Sequence, residues 1–326
     1  MKRRTETFYA KILLFGEYSL LCNSMGLTIP YSHYKGELSF IDEDKYTDYN
    51  FAVHSNKLLH EFHAWLTGEG FNSEFSALLQ IELLTHDIQH GLYFESTIPQ
   101  GYGIGSSGAL VAAIYAGYAT NRIQRTTRIS KRQIQELLAL FSYMEDFFHG
   151  QSSGIDPLNS YIKHPLLIRS RKDISIVGIP RNKQNKSDVI FLIDSGMPGK
   201  TGPLVNQFME ELHNPEFAND INHQLIPVND NCINAIINGE SDILFANLRH
   251  LSEFALTHFS RMIPESIKHV WVHGLATEDF FLKLCGSGGG GFLLGFTKDY
   301  EKAQAQLSAM QFEIIPVYMS KTGLDK

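Results

Sequence analysis

Hydrophobic positions first gather in FYAKILLF (8–15), an apolar, β-leaning run that predicts a strand, and Gly16 stops it. Segments 35–42 and 77–97 predict further strands separated by polar turns. Between them, HSNKLLHEFHAWLTGEG (54–70) carries helical spacing and is expected to end at Gly68. His60 and His63 lie on that helix, but they lack the HExxH spacing of a zinc site and are read as part of a solvated face.

Two long helices are expected next. Residues 108–121 are small and apolar throughout, which predicts a buried helix. Ser130 then caps a second helix, with Gln133 completing a capping box, and Gly150 ends it after His149. Its apolar stripe runs Ile134, Leu138, Phe141, position 145, Phe148, and position 145 is Glu. An ionisable group on an inward stripe is costly unless it meets a cation or hydrogen-bond donors. The alternative is a small rotation of the helix that lets Glu145 snorkel to water. The polar run PRNKQNKSD (180–188) is the candidate linker, and VIFLID (189–194) restarts the chain with a buried strand. A helical region is expected over about 203–262, after which HVWVHGL and a strand-like FLLGF flank CGSGGGGF (285–292). No internal repeat is found.

Composition narrows the classes. The 326 residues suffice for two domains or one large one, and 43% hydrophobic with 19% charged residues is ordinary for a globular protein. A net charge of −7 argues against a broad nucleic-acid surface. Cys22, Cys232 and Cys285 stand far apart, so neither a disulfide framework nor a structural zinc site is expected, and a reducing compartment is. The basic start, with Lys2, Arg3 and Arg4, resembles a signal peptide, but the following apolar run is closed by Glu17. No window reaches the roughly 18 apolar residues of a spanning helix, so a cytoplasmic protein without membrane or nucleic-acid partners is expected.

The candidate chemistry starts at IPQGYGIGSSGAL (98–110), which contains a literal G-x-G-x-x-G at Gly103, Gly105 and Gly108. A dinucleotide site needs a strand, the glycine turn, a helix, a second strand and an acid about 20 positions on. Here Pro99 interrupts the strand, NRIQRTTRIS (121–130) is too polar for the second strand, and no acid lies between Glu95 and Glu136. The dinucleotide reading fails. What remains is a turn that lets backbone N–H groups approach an oxyanion, a helix start near Ser106, and two hydroxyls, Ser106 and Ser107, suited to phosphate or Mg²⁺. A second glycine loop, GSGGGG (286–291), strengthens this reading. DSGMPGKTG (194–202) is not a Walker A motif, because Asp194 stands where glycine is required. Gly150, Ser152 and Gly154 spell G-x-S-x-G, yet a helix precedes them where a hydrolase elbow needs a strand.

Three motifs in order, AKILLFGEYSLL (10–21), IPQGYGIGSSGAL (98–110) and KLCGSGGGGFLLGF (283–296), resemble the GHMP kinase superfamily of galactokinases, homoserine kinases, mevalonate kinases and phosphomevalonate kinases. EDFFHGQSSGID (145–156) is similar to the mevalonate kinase signature of a Glu followed by H-G-x-P-S-G-(I/V)-D, and DSGMPGKTGPLV (194–205) resembles that subfamily's P-(R/G)-x-T-x-x-L-V segment. The resemblance implies an α+β fold of two domains, a ribosomal protein S5 domain 2-like N-terminal domain (1–184) and a ferredoxin-like C-terminal domain (185–326), with the active site in the cleft. It implies ATP phosphates on Gly101, Gly103, Ile104, Gly105, Ser106, Ser107 and Gly108, and Mg²⁺ on Ser107 and Glu145. Asp156 would be the catalytic acid–base residue, with Lys11 beside the reacting hydroxyl. Glu17, Tyr18, Thr201, Gly288 and Gly289 would lie near the acceptor or the transferred phosphate.

The implied activity is phosphorylation of mevalonate to 5-phosphomevalonate, with a homodimer possible in the family. Other acceptors, such as phosphomevalonate, remain open, as does a ligand sensor without catalysis. An acceptor that already bears phosphate would call on basic residues such as Arg169, Arg171 and Lys200. The chain departs from the pattern at Tyr18 (usually His), Ser152 (Pro), Pro157 (Asn), Gly108 (Ala) and Cys285 (Thr). Tyr18 and Pro157 flank the acceptor position and leave its identity open.

Overall fold

The computed structural model describes residues 6–41, 48–68, 73–126, 129–180, 188–199 and 201–319. The strands are β1 (Phe8–Phe15), β2 (Gly26–Phe40), β3 (Leu92–Ser96), β4 (Leu166–Ser170), β5 (Asp173–Ile176), β6 (Val189–Asp194), β7 (Phe281–Leu284), β8 (Phe292–Thr297) and β9 (Ile314–Met319). The helices are α1 (Tyr49–Thr67), α2 (Ser73–Ser76), α3 (Ile81–Gln89), α4 (Ser106–Tyr118), α5 (Lys131–His149), α6 (Ile155–Ile162), α7 (Thr201–Glu211), α8 (Pro215–Asp220), α9 (Ile226–Asn238), α10 (Ser241–His258), α11 (Glu265–Thr277) and α12 (Tyr300–Ala309). This is the expected α+β mixture. Among the described residues no helix is long and apolar enough to cross a membrane.

The chain divides into two compact units that interleave along the sequence. The first comprises Met1–Lys11, Pro30–Pro99 and Gly105–His164; the second comprises Ile12–Ile29, Gln100–Ile104 and Pro165–Lys326. The expected boundary at 184/185 and most of the candidate linker fall at 181–187, outside the described residues.

In the first unit the outer half of β2 pairs antiparallel with β3, from Gly36↔Ser96 to Phe40↔Leu92. Helix α5 begins and ends where its local signals place it. Ser130 Oγ accepts from Gln133 N–H, the Gln133 side chain returns a bond to Ser130 N–H, and Gly150 closes the helix at φ 72°. Helix α4 is buried along Gly108–Tyr115 and packs on α6, a contact that needs glycine. A methyl group at Gly108 would fall 2.7 Å from the Asp156 carbonyl carbon and the Pro157 nitrogen.

The second unit holds the inner end of β2 paired antiparallel with β4, and β4 with β5. It also holds an antiparallel sheet ordered β7-β8-β6-β9. VIFLID forms the buried β6 as expected, and the helical region 203–262 appears as α7 to α10 with a short 3₁₀ turn.

Three expectations need correction. Segment 77–97 is not all strand: residues 81–89 form α3, because Ile81, Leu84 and Ile88 recur at helical spacing, with Leu84 and Ile88 buried. Strand β2 begins at Gly26 and reaches only Phe40, since its first half is buried on both faces and shows no alternation to mark it. Helix α1 starts at Tyr49, where Asp48 accepts a capping bond from Phe51 N–H.

Candidate active site

Lys11 sits in the middle of β1, 5% exposed, between apolar residues that bury the strand. A buried ammonium needs a partner. It finds Asp156, whose Oδ1 lies 2.8 Å from Lys11 Nζ. Asp156 occupies the first turn of α6, and the aspartate side chain retains 31% exposure. Gly105, which precedes α4 at φ 74°, lies against the same carboxylate: a methyl there would be 3.3 Å from Asp156 Oδ2.

Beside this pair, the implied metal residues meet. Ser107 Oγ donates to Glu145 Oε1 at 3.1 Å and lies 3.0 Å from His149 Nε2. Glu145 is 2% exposed, so it does not snorkel; α5 turns it inward among donors. Ser152 Oγ donates to its other oxygen, Oε2. Burial foremost, and then the charge of Asp156, push the Glu145 carboxyl up to about 8, opposed by the two serine hydroxyls and Lys11. Helix α4 opens at Gly105, which has no side chain with which to cap the helix N-terminus.

The remaining glycine-loop residues, Gly101 to Ile104, belong to the second unit. Ile104 is buried, and the Gly103 backbone is pressed against the second glycine loop. A methyl at Gly103 would fall 2.3 Å from the Cys285 carbonyl oxygen. The two glycine loops therefore touch, backbone to backbone. Gly288 and Gly289 lie in the 285–291 turn, where Gly289 N–H donates to Met262 O at 2.6 Å.

Glu17 and Tyr18 are also held in this unit. Lys283 Nζ lies 2.6 Å from Glu17 Oε2 and donates to Leu284 O, and both side chains are under a tenth exposed. Tyr18 adopts φ 62° and donates its hydroxyl to the Ser287 carbonyl at 2.6 Å. Its ring stands 4.8 and 5.2 Å from Phe208 and Phe259. Burial, reinforced by Glu17, drives the Tyr18 phenol well above its ordinary range.

Thr201 opens α7, and its side chain lies outside what is described, as does Lys200. Arg169 and Arg171 are exposed around the β4–β5 turn. Three neighbours of these side chains carried no assigned role in the sequence reading: Lys283, His149 and Ser152. Lys283 had a signal, a lone cation inside the fully buried strand FLKL. His149 had its place in the H-G-x-P-S-G-(I/V)-D signature and at the end of α5, without an assigned role. Ser152 stands out in the sequence as part of a G-x-S-x-G string and as a departure from the signature's proline, neither of which points to Glu145.

Residues 74–161 match the model of the GHMP kinases N terminal domain. Solved structures agree along the whole length. The L. major mevalonate kinase in complex with R-mevalonate shares 14% identity at a TM-score of 0.64, covering 98% of each chain. This chain has the GHMP kinase fold. The GHMP likeness extends to the Streptococcus pneumoniae phosphomevalonate kinase with phosphomevalonate and AMPPNP, at 13% identity and TM-score 0.59, covering 97% of this chain and 100% of that one. It extends also to the Lactococcus lactis galactokinase with galactose, at 12% identity and TM-score 0.64, covering 98% of this chain and 94% of that one. No curated protein sequence matches the chain.

The donor set suits the cofactor that the fold suggests. Mg²⁺ takes oxygen ligands and commonly binds through one or two protein groups plus phosphate and water. Ser107 Oγ and Glu145 Oε1 offer two adjacent oxygens. Among the described residues no group of three or more His, Cys, Asp or Glu forms an all-protein cage. Glu145 is a buried carboxyl whose charged form a cation would stabilise.

Proposed function

We propose that this chain is an ATP- and Mg²⁺-dependent small-molecule kinase that phosphorylates a hydroxyl, with mevalonate as the acceptor. The observation that carries the reading is the Lys11–Asp156 pair, placed next to Gly105 and to the Ser107–Glu145 pair. When bound, the magnesium nucleotide supplies the phosphoryl group and neutralises its charge. Asp156 is exposed enough to receive a proton from an acceptor hydroxyl, and Lys11 keeps the carboxylate oriented through Oδ1. A positioned base of this kind contributes about 10²–10⁴ in rate. Ser106, Ser107 and the open α4 N-terminus hold phosphate oxygens, and Ser107 with Glu145 hold the metal. We assign nucleotide binding to residues 1–184.

Support for mevalonate comes from EDFFHGQSSGID, which places Glu145 and Asp156 at the spacing of the mevalonate kinase signature. The likeness to the L. major enzyme with R-mevalonate agrees with it. A coupled assay with purified protein, ATP, Mg²⁺ and a panel including mevalonate, phosphomevalonate and galactose tests the reading. Turnover of mevalonate above the others is expected. Turnover confined to phosphomevalonate would move the acceptor, and no turnover with any acceptor would overturn the kinase reading.

A further inference from the structure

Ser152 stands in the turn between α5 and α6, at a position where the signature that this segment resembles carries proline. Four bonds hold it. Its N–H donates to Asp146 Oδ1 at 2.6 Å, and its carbonyl accepts from Ser142 Oγ. Its Oγ accepts from Gly154 N–H at 3.0 Å and donates to Glu145 Oε2. Proline has neither an N–H nor a hydroxyl. Three of these four bonds therefore exist only because residue 152 is not proline.

The consequence falls on Glu145. Its Oε1 accepts from Ser107 and its Oε2 from Ser152, so a different hydroxyl fastens each oxygen. A single hydroxyl would leave the carboxylate free to swing about its terminal torsion, which is broad for glutamate. Two hydroxyls on opposite oxygens hold its plane. The hydroxyl of Ser152 is itself fixed by Gly154, and its backbone by Asp146 and Ser142, so the grip is anchored at both ends of the turn.

We propose that Ser152 is a positioning residue for the metal carboxylate: by holding Oε2 it keeps Glu145 Oε1 aimed, with Ser107 Oγ, at the divalent cation. This rests on the kinase reading above. Magnesium demands near-ideal octahedral geometry, so a misaimed oxygen is poorly tolerated. Groups that orient a metal ligand typically change metal affinity by about 10–100-fold when removed.

The test reads metal binding directly, apart from turnover. Mn²⁺ is titrated against protein saturated with AMPPNP, and free Mn²⁺ is followed by electron paramagnetic resonance. Ser152→Ala is expected to weaken Mn²⁺ about tenfold or more. Ser152→Thr, which keeps the hydroxyl, should restore affinity, and Gln151→Ala, which removes an exposed side chain from the same turn, should leave it near wild type. The pair Ser152→Thr and Ser152→Val, equal in shape and different in the hydroxyl, carries the comparison if the alanine variant does not fold. Equal Mn²⁺ affinity for the Thr and Val variants, or for Ser152→Ala and wild type, would overturn the proposal. Equal weakening by Gln151→Ala would also overturn it, by making the effect one of turn stability. A wild-type protein that takes up no Mn²⁺ with AMPPNP would instead overturn the kinase reading.

Discussion

Lys11 Nζ and Asp156 Oδ1 lie 2.8 Å apart, so a buried cation in β1 is neutralised by the first turn of α6. Each partner fixes the other, and removing either leaves a charge without its counterpart. Asp156→Asn is expected to lower kcat by about 10²-fold or more while far-ultraviolet circular dichroism stays native. Initial rates at saturating ATP and acceptor check this. A wild-type rate would remove Asp156 from the chemistry.

Glu145→Gln keeps the side chain's size and discards the anion. The apparent Mg²⁺ requirement for turnover is expected to rise about tenfold or more, because a neutral amide is a poorer ligand for a hard cation. An unchanged magnesium titration would show that Glu145 serves the packing of α5 alone.

Helices α4 and α6 meet backbone to backbone at Gly108, where an added methyl would fall 2.8 Å from Asp156 Cβ. Gly108→Ala must push α6, and Asp156 with it. A stability loss of about 1–3 kcal/mol is expected from overpacking, with at least a tenfold lower kcat. Chemical denaturation and steady-state rates measure the two effects. Neutrality in both would mean that α6 can retreat without moving the aspartate.

The Tyr18 hydroxyl is committed to the Ser287 carbonyl and its ring to Phe208 and Phe259. Tyr18→Phe should cost about 0.5–1.5 kcal/mol, the net worth of one hydrogen bond, and leave the acceptor KM unchanged. A raised KM in that variant would show that the hydroxyl also serves the acceptor.

Lys163 donates to Thr7 O at 2.5 Å and shares the Glu6 carboxylate with Arg122 and Arg125. Burial first, then the charges of Arg125 and Arg122, lower its ammonium from 10.5 to about 8. Between those values the unfolded chain binds the proton more strongly than the native state, so this group's contribution to stability rises with pH. Wild-type Tm should therefore gain on that of Lys163→Met between pH 7.5 and 9.5. Melting curves at both values decide it, and a difference that stays flat or reverses would contradict the assignment.

Much of the fold was legible where the signals are short-range. The apolar run to Gly16 marks β1, the Ser130–Gln133 box marks the start of α5, and VIFLID marks β6. The reading failed at α3, whose period-3.6 apolar positions lie in a short segment flanked by real strand, and at the first half of β2. At α3 the local period is present but short, whereas in the first half of β2 burial on both faces removes the alternation that would mark a strand.

The site divides the same way. The sequence alone determined that Glu145 falls on an apolar helical stripe, with its burial left open, and that glycines at 101–108 permit close backbone approach, because both follow from local periodicity and from the lack of a side chain. Tertiary structure decided who satisfies whom. Asp156 meets Lys11, Lys283 meets Glu17, and Ser152 meets the free oxygen of Glu145. Those pairings turn on the placement of strands and helix ends in space. A buried charge or carboxylate in a sequence states that a partner is required, and only the folded chain shows which residue comes within 3 Å to meet that demand.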